Sequence, residues 1–246
     1  MVTRTGQGTG KTTFAVDVGG SNIKAMLLDA TGRPTTERIK RPTPRPATTR
    51  PVTETIVAIA KEIGPFDRAS VGFPGVVRKG VVETAFNLHP SWIGVDVDRL
   101  LTKELRVPVR AANDADVQGL GAVRGQGVEL VITLGTGFGS SLFVDGRLVP
   151  NVQLAHHTAW RRKTYEEELG KKALKKAGRK KWNRRVEKAI ASLSELLNYD
   201  RLYIGGGNAS RIDFDLPPPV KVVSNVEGLL GGVVLWRGKE NCYGVR

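Results

Sequence analysis

A carboxylate beside a Gly-rich turn is the first part of this sequence that could do chemistry. Asp17 ends the apolar stretch "FAVDV" and is followed at once by the turn "GGSN", with Lys24 just beyond. Such a carboxylate can hold Mg²⁺, directly or through water, while backbone N–H groups of the turn approach phosphate oxygens. The alternative is a hairpin turn whose glycines only supply positive φ. The predicted phosphate contacts are Asp17, with Mg²⁺ as its metal, Gly19, Gly20, Ser21, Asn22 and Lys24.

A second Gly-rich turn repeats this plan. Residues 14–33 and 130–147 each read as an apolar strand, a Gly-rich turn, a second apolar strand, an Asp and a Gly-Arg turn. Aligning Asp17 with Thr133 brings Asp29 onto Asp145. This predicts two β-hairpins of one design, and the repetition favours phosphate binding at both turns. The predicted contacts of the second turn are Gly135, Thr136 and Gly137.

Two stretches imitate nucleotide-binding motifs. The stretch "TGQGTGKTT" has Thr5 where a P-loop requires Gly, and a strand follows it instead of preceding it. Residues 1–13 are therefore predicted to be a flexible tail. The stretch "GTGFGS" has Ser140 where a dinucleotide fingerprint requires its third Gly, and a strand follows where that motif needs a helix.

The pair Asn113-Asp114 stands between a predicted strand and a predicted helix. Asn and Asp both favour the N-cap of a helix, and that is one interpretation. The other is a general base that takes a proton from a substrate hydroxyl, because phosphoryl transfer needs a positioned acceptor and charge compensation. Both roles fit in one turn, and Asp114 is the predicted catalytic residue.

Composition limits the classes of protein. Of 246 residues 40% are hydrophobic, enough for a packed core, and no apolar run approaches the roughly 18–20 residues of a membrane span. A polar amino terminus and the single Cys242, which excludes an internal disulfide, favour the cytoplasm. Three histidines and one cysteine leave few ligands for zinc, so no zinc is expected.

The positive charge is concentrated in one segment. The net charge is +14, and residues 161–188 hold thirteen Lys or Arg against four Glu in a helical pattern. An anionic partner is one interpretation and a solvated helix surface is another. No zinc finger, aromatic RNA-binding motif or clear recognition helix accompanies the charge, so no specific nucleic-acid binding is expected. The predicted polyanion contacts are Lys171, Lys172, Lys175 and Lys176.

The elements that must position these residues alternate between helix and strand. Helices are predicted over 52–64 and 225–236, and a helix followed by a strand over 96–109. A strand that runs into a Phe-Pro-Gly loop is predicted over 68–77 and a strand that ends in three glycines over 201–207, with 41–51 as an extended connector. This order indicates two related α/β lobes with a cleft between them. The predicted boundaries are a small lobe over 14–112, a large lobe over 113–224 and a carboxy-terminal segment, 225–246, whose helix packs back on the small lobe.

Five motifs together resemble a known family. The stretches "FAVDVGGSNIK", "VGFPGVV", "NDAD", "TLGTGFGSSLFVDGRLVPN" and "LYIGGGNA" resemble the ROK family of sugar kinases and repressors, and most of all its polyphosphate glucokinase branch, from about Phe14 to Trp236. The resemblance implies an α/β fold of two ribonuclease-H-like lobes of the actin-like, hexokinase type around a central cleft. It implies phosphorylation of glucose or a related hexose at the 6-hydroxyl, with polyphosphate or ATP as donor, Mg²⁺ as cofactor, and a homodimer.

The same resemblance assigns roles to individual residues. Asp114 is the implied base acting on the sugar hydroxyl. Gly205, Gly206 and Gly207 form the implied adenosine-side loop. The implied sugar contacts are Pro74, Gly75, Asn87, Asn113, Asp114, Gln153 and His156.

The chain departs from the family at the sugar side. The family pattern Glu-x-Gly-His is here Gln153-Leu154-Ala155-His156, and a further Glu of the polyphosphate enzymes aligns near Thr158. Gln still donates and accepts hydrogen bonds but supplies no charged acceptor. An ATP-only hexokinase of another sugar and a catalytically weak sugar-binding relative therefore remain alternatives. A DNA-binding repressor is not favoured, because no helix-turn-helix precedes Phe14.

Overall fold

A computed structural model describes residues 10–223 and 225–237 of the chain. Its first part runs β1 (Thr13–Val18), β2 (Asn22–Leu28), β3 (Ile39–Pro42), α1 (Thr49–Ile63), β4 (Arg68–Phe73), β5 (Val77–Arg78), β6 (Val81–Val82), α2 (Val97–Leu105), β7 (Val109–Asn113) and α3 (Asp114–Ala122). Its second part runs β8 (Val128–Leu134), β9 (Phe138–Val144), β10 (Arg147–Val149), β11 (Thr158–Trp160), β12 (Lys163–Thr164), α4 (Tyr165–Leu169), α5 (Lys171–Ala177), α6 (Arg179–Leu197), β13 (Arg201–Gly205), β14 (Val220–Val222) and α7 (Asn225–Val234).

Two five-stranded sheets share one topology. The orders are β3-β2-β1-β4-β7 and β10-β9-β8-β13-β14. In each sheet the first three strands pair antiparallel and the last three pair parallel. The predicted pair of hairpins, β1–β2 and β8–β9, is therefore confirmed, and each occupies the same place in its sheet.

The register corrects one detail of the internal alignment. Asp17 lies opposite Lys24, and its counterpart Thr133 lies opposite Gly139. Because the second turn is one residue shorter than the first, Asp29 corresponds to Val144 and not to Asp145. The equal spacing of twelve residues from Asp17 to Asp29 and from Thr133 to Asp145 concealed this difference, because the additional residue of the first hairpin lies inside its Gly-rich turn.

Alternation along β1 separates two packing layers. Phe14, Val16 and Val18 belong to a core that includes residues of α1 and α2. Ala15 faces the other way and packs with Met26, Leu28 and Val233 of α7. Asp17 has the parity of Ala15, so it lies on the face covered by α7 and is positioned away from the α1–α2 layer.

Helix α3 stands between the two sheets and is crossed by α7. It contacts β4 of the first sheet and β8 and β9 of the second. At the crossing, a Cβ on Gly231 would lie 1.7 Å from the carbonyl oxygen of Val117, so only glycine fits there. Ser70 of β4 donates to the Gly232 carbonyl at 2.5 Å, which anchors α7 to the first sheet. Helix α3, whose first residue is Asp114, is thereby packed between the two sheets and α7.

The basic segment, predicted from its helical pattern, is not one continuous helix. Residues 161–188 contain the end of the β11–β12 hairpin, all of α4 and α5 and the first half of α6, with breaks at Gly170 and at Gly178, whose φ is +75°. The four predicted lysines stay together on α5, but Arg179 and Lys180 belong to α6. Glycine at φ > 0 ends a helix at low steric cost, and the charge pattern alone did not show that break.

The predicted connector 41–51 is also shorter than expected. Its first residues complete β3, and α1 begins at Thr49, so Pro51 lies in the first turn. Proline is tolerated there because the first N–H groups of a helix have no intrahelical partner.

The last residue of the predicted tail over 1–13, Thr13, belongs instead to the first strand. Residues 1–9 of the predicted tail lie outside the described part of the chain. Thr12 donates its backbone N–H to Asp67 Oδ2 at 2.6 Å, and Thr13 is already a buried residue of β1. No helix among the described residues is both long and apolar enough to span a bilayer.

Candidate active site

A cleft of about 190 Å³ lies between the two sheets and collects most of the predicted site residues. Those that line it are Asp17, Gly19, Gly20, Lys24, Pro74, Gly75, Asn87, Asn113, Asp114, Gly135, Thr136, Gly137, Gln153, His156, Gly206 and Gly207. Ser21, Asn22 and Gly205 belong to the same turns without being among the described lining residues, and neither are the four lysines of α5. Residues far apart in sequence thus form one concave site.

Asn113 and Asp114 occupy the junction of β7 and α3. Asn113 is the N-cap of α3: its Oδ1 accepts from the N–H groups of Ala115 at 2.9 Å and Asp116 at 3.3 Å. Its Nδ2 donates to the Gly75 carbonyl at 2.9 Å, which ties the Pro74-Gly75 loop to the helix start. Asn113 therefore has the capping role, and Asp114 is the residue whose carboxyl faces the cleft.

The Asp114 carboxyl has an unusual affinity for protons. Burial in the cleft, followed by the negative charge of Asp17, raises its pKa to about 7, while the charge of Lys24 acts in the opposite direction. A carboxyl with this pKa is close to half-protonated at neutral pH. A general base is most effective when its pKa lies near the working pH, and Asp114 meets that condition.

The first turn holds an ion pair. Lys24 Nζ lies 2.8 Å from Asp17 Oδ2, and about a third of each side chain is exposed. The turn is closed by a hydrogen bond from Gly19 N–H to the Asn22 carbonyl at 2.9 Å. Arg45 donates to the Gly20 carbonyl at 2.7 Å and so holds the turn from its flank.

The fit of Mg²⁺ depends on Asp17. No group of three or more His, Cys, Asp or Glu side chains within the described ranges forms a ready metal cage. Mg²⁺ commonly binds through one or two carboxylates plus waters and substrate phosphates, so a single cleft carboxylate is a chemically sufficient protein ligand. Asp17 lines the cleft and fits this pattern, whereas a zinc ion would need more ligands.

The second turn is tied to the start of α5. The Gly135 carbonyl accepts from Asn208 Nδ2 at 2.9 Å and from Lys171 N–H at 3.1 Å. Thr136 Oγ1 lies 3.4 Å from Ser21 Oγ, so the two Gly-rich turns face each other across the cleft. The two turns therefore meet at a side-chain contact and can border one phosphate chain together.

The glycines after β13 pack against the second turn. Gly206 has φ +89°, and Asn208 N–H donates to the Leu134 carbonyl at 2.8 Å directly beside it. A side chain at Gly206 would collide with Leu134, so the loop lies at the end of β8. The predicted adenosine-side loop is therefore adjacent to the predicted phosphate turn.

The backbone on both sides of Gln153 is held by Ser140, to which the sequence analysis gave no role in the site. Ser140 Oγ donates to the Val152 carbonyl at 2.8 Å and accepts from Leu154 N–H at 3.0 Å. The His156 ring packs on the Phe86 ring with centroids 4.1 Å apart, next to Asn87. Phe86 is 58% exposed and lines the cleft, so it offers an apolar surface beside His156.

Glu166 is the most important residue missed from the sequence. It lines the cleft, and its Oε2 accepts from Phe138 N–H at 3.3 Å beside Gly137. The carboxylate that the family pattern placed near Thr158 is not there, because Thr158 lies on β11 and is not among the described lining residues. The sequence does carry one signal for Glu166. Thr164 and Glu167 form a capping box that begins α4, and Glu166 in the first turn of α4 lines the cleft.

Comparisons with known proteins agree with this architecture. The model of the ROK family matches residues 13–156. The polyphosphate glucokinase of Mycobacterium tuberculosis (strain CDC 1551 / Oshkosh) is 32% identical over 239 residues, which cover 90% of this chain and 89% of that protein.

Solved structures give the same result. The inorganic polyphosphate/ATP-glucomannokinase of Arthrobacter sp. strain KM superposes with a TM-score of 0.84 at 31% identity, covering 91% of this chain and 97% of that one. A ROK family glucokinase of Streptomyces griseus, solved with glucose and AMPPNP, is 20% identical with a TM-score of 0.74, covering 91% and 98% of the two chains, and shows the shared fold. The predicted actin-like, hexokinase-type fold is thus confirmed, and the chain belongs to the ROK family.

Proposed function

We propose that this protein phosphorylates glucose, or a related hexose, at the 6-hydroxyl, with inorganic polyphosphate, ATP or both as donor. The observation that carries the proposal is the Asp114 carboxyl, whose pKa is raised to about 7 and which lines the same cleft as two facing Gly-rich turns. Relatives named as polyphosphate glucokinase and polyphosphate/ATP-glucomannokinase support the choice of substrate and donor.

The proposed step is a single displacement. The sugar hydroxyl oxygen attacks the terminal phosphorus of the donor, the bond from that phosphorus to its bridging oxygen breaks, and the hydroxyl proton passes to Asp114. Lys24 and the N–H groups of the two turns offset the negative charge that shifts to the leaving oxygen. Asp17 would hold Mg²⁺, which supplies further charge compensation at the phosphate oxygens when bound.

The proposed sugar contacts line the cleft beside the two turns. Asn87, Gln153 and His156 are the polar groups we assign to sugar hydroxyls, and Glu166 joins them because its carboxylate lines the same cleft. Pro74 and Gly75 shape the floor through the hydrogen bond from Asn113. Glu166 supplies the charged acceptor that Gln153 lacks.

The proposed donor path leaves the cleft at the second turn. Helix α5 begins there, and Lys171, Lys172, Lys175 and Lys176 extend from it as an exposed cationic surface. We assign this surface to the outer part of a polyphosphate chain, and the Gly205–Gly207 loop to the adenosine of ATP. A polyphosphate donor would then show a strong dependence on salt.

One observation favours a second candidate function, that of a weak sugar-binding relative. Gln153 replaces the family's Glu at a position that lines the cleft. A matrix of donors and sugars, assayed with Mg²⁺, separates the two. Formation of a sugar phosphate from polyphosphate or ATP supports the kinase. A sugar that raises the melting temperature without forming a phosphate ester with either donor would support the weak binder instead.

A further inference from the structure

Strand β3, the edge strand of the first sheet, places cations on the same face as the first phosphate turn. Lys24 lies opposite Asp17 in the β1–β2 register, and Lys40 lies opposite Lys24 in the β2–β3 register. Residues directly opposite in antiparallel strands share a face, so these three side chains form one row across the sheet. Arg38, two residues before Lys40, lines the cleft itself.

The neighbours of Lys40 on β3 have other partners on the other face. Ile39 packs against the core beneath α1 and α2, and Arg41 forms an ion pair with Glu62 of α1 at 2.5 Å. Within the described ranges, neither Arg38 nor Lys40 has an acidic partner. Arg41 is therefore neutralised on the outer face of β3. Arg38 and Lys40 stay available to an anion on the cleft face.

The row extends outward from the turn. Two inter-strand spacings, about 10 Å in all, separate β3 from β1. An anion bound at the first turn and continuing past Lys24 would meet Lys40 and Arg38 next. A single phosphate is too small to reach both the turn and β3, whereas a chain of phosphates with one negative charge per unit can do so.

We propose that Arg38 and Lys40 form a subsite for the phosphate units of a linear polyphosphate that lie beyond the transferred one. The subsite rests on the proposed use of polyphosphate as donor. It lies on the small lobe, whereas the α5 lysines extend from the second turn on the other side of the cleft, so the two surfaces are alternative paths for the outer phosphate units. ATP makes no use of the subsite, because its chain of three phosphates ends at the nucleoside on the α-phosphate.

The test compares the double variant Arg38→Gln/Lys40→Gln with the control Arg41→Gln/Lys61→Gln. The control removes the same charge from β3 and α1 but does so outside the cleft. Binding of a narrow chain-length fraction of long polyphosphate, of tripolyphosphate and of ATP is measured by calorimetry without sugar, and KM for each donor is measured with glucose.

For the Arg38 and Lys40 variant, we expect affinity for long polyphosphate to fall about fivefold to tenfold and its dependence on salt to become shallower. Affinity for tripolyphosphate and ATP should stay within about twofold. A loss equal to that of the control, or an equal loss for ATP, would overturn the subsite. A wild-type protein that neither binds nor uses polyphosphate would overturn the proposed donor as well, so the two failures are distinguishable.

Discussion

Lys24 Nζ lies 2.8 Å from Asp17 Oδ2, directly across the β1–β2 hairpin at the mouth of the cleft. The two charges act in opposite directions on a third group, because the negative charge of Asp17 raises the pKa of Asp114 and the positive charge of Lys24 lowers it. The hairpin thus has a part in setting the protonation of a residue that stands almost a hundred positions later in the sequence.

Removal of the Lys24 charge should shift the pH dependence of activity. In Lys24→Gln the opposing charge is lost, so the pKa of Asp114 should rise above about 7 and the acidic limb of the profile of kcat/KM should move to higher pH. The overall rate should also fall, because Lys24 is a proposed phosphate contact. Arg41→Gln is the control, and an acidic limb in the same place for both variants would contradict the coupling.

The raised pKa of Asp114 also predicts a stability effect. Its pKa is about 7 in the folded protein and near 3.8 in the unfolded chain, so ionisation opposes folding. The wild type should lose stability at this site as pH rises from about 4 to about 7, and Asp114→Asn should not. The difference in melting temperature between variant and wild type should therefore grow over that interval, and a difference that is constant with pH would argue against the shift.

Restoring the family's carboxylate should change sugar affinity. Gln153 lines the cleft together with His156 and Glu166, and a carboxylate there would accept hydroxyl hydrogen bonds more strongly than an amide. We expect Gln153→Glu to lower the KM for the preferred sugar by about threefold to tenfold, with little effect on the KM for the donor. Gln153→Ala should raise the KM for sugar. Unchanged sugar KM in both variants would place Gln153 outside the sugar site.

The turn of the β11–β12 hairpin should be stabilised by simple substitution. Arg161 and Arg162 have φ of 52° and 58°, a conformation that residues other than Gly, Asn and Asp adopt at a cost. Asn-Gly is the preferred pair for such a turn, so Arg161→Asn/Arg162→Gly should raise the free energy of unfolding by about 1–2 kcal/mol. Arg161→Lys/Arg162→Lys keeps the strain and is the control. Equal stability of both variants in urea titrations would contradict this account.

The sequence predicted those elements whose own residues show a local pattern, such as apolar alternation, turn glycines or a capping residue. The β1–β2 and β8–β9 hairpins follow from apolar runs around glycines, and the role of Asn113 as N-cap follows from its residue type at a strand–helix junction. The mutual approach of Ser21 and Thr136, in contrast, arises from the packing of two sheets on α3, which no short stretch specifies.

The misses have physical reasons of the same kind. Glu166 was not predicted because the β11–β12 hairpin separates it from His156, so spacing along the chain placed the carboxylate near Thr158. The proposed subsite on β3 was not foreseen because its residues adjoin a Pro-rich stretch that favours an extended connector. In both cases strand pairing decided the position, and pairing depends on distant residues.

The most direct test of the account is phosphoryl transfer to glucose by wild type and by Asp114→Asn, each with polyphosphate and with ATP in the presence of Mg²⁺. The wild type should form glucose 6-phosphate, and Asp114→Asn should be slower by about 10²–10⁴-fold with every donor that the wild type uses, while remaining folded and still binding the sugar. A variant that keeps the wild-type rate would contradict the assignment of Asp114 as the base. Absence of any sugar phosphate from the wild type with either donor would contradict the proposed function itself.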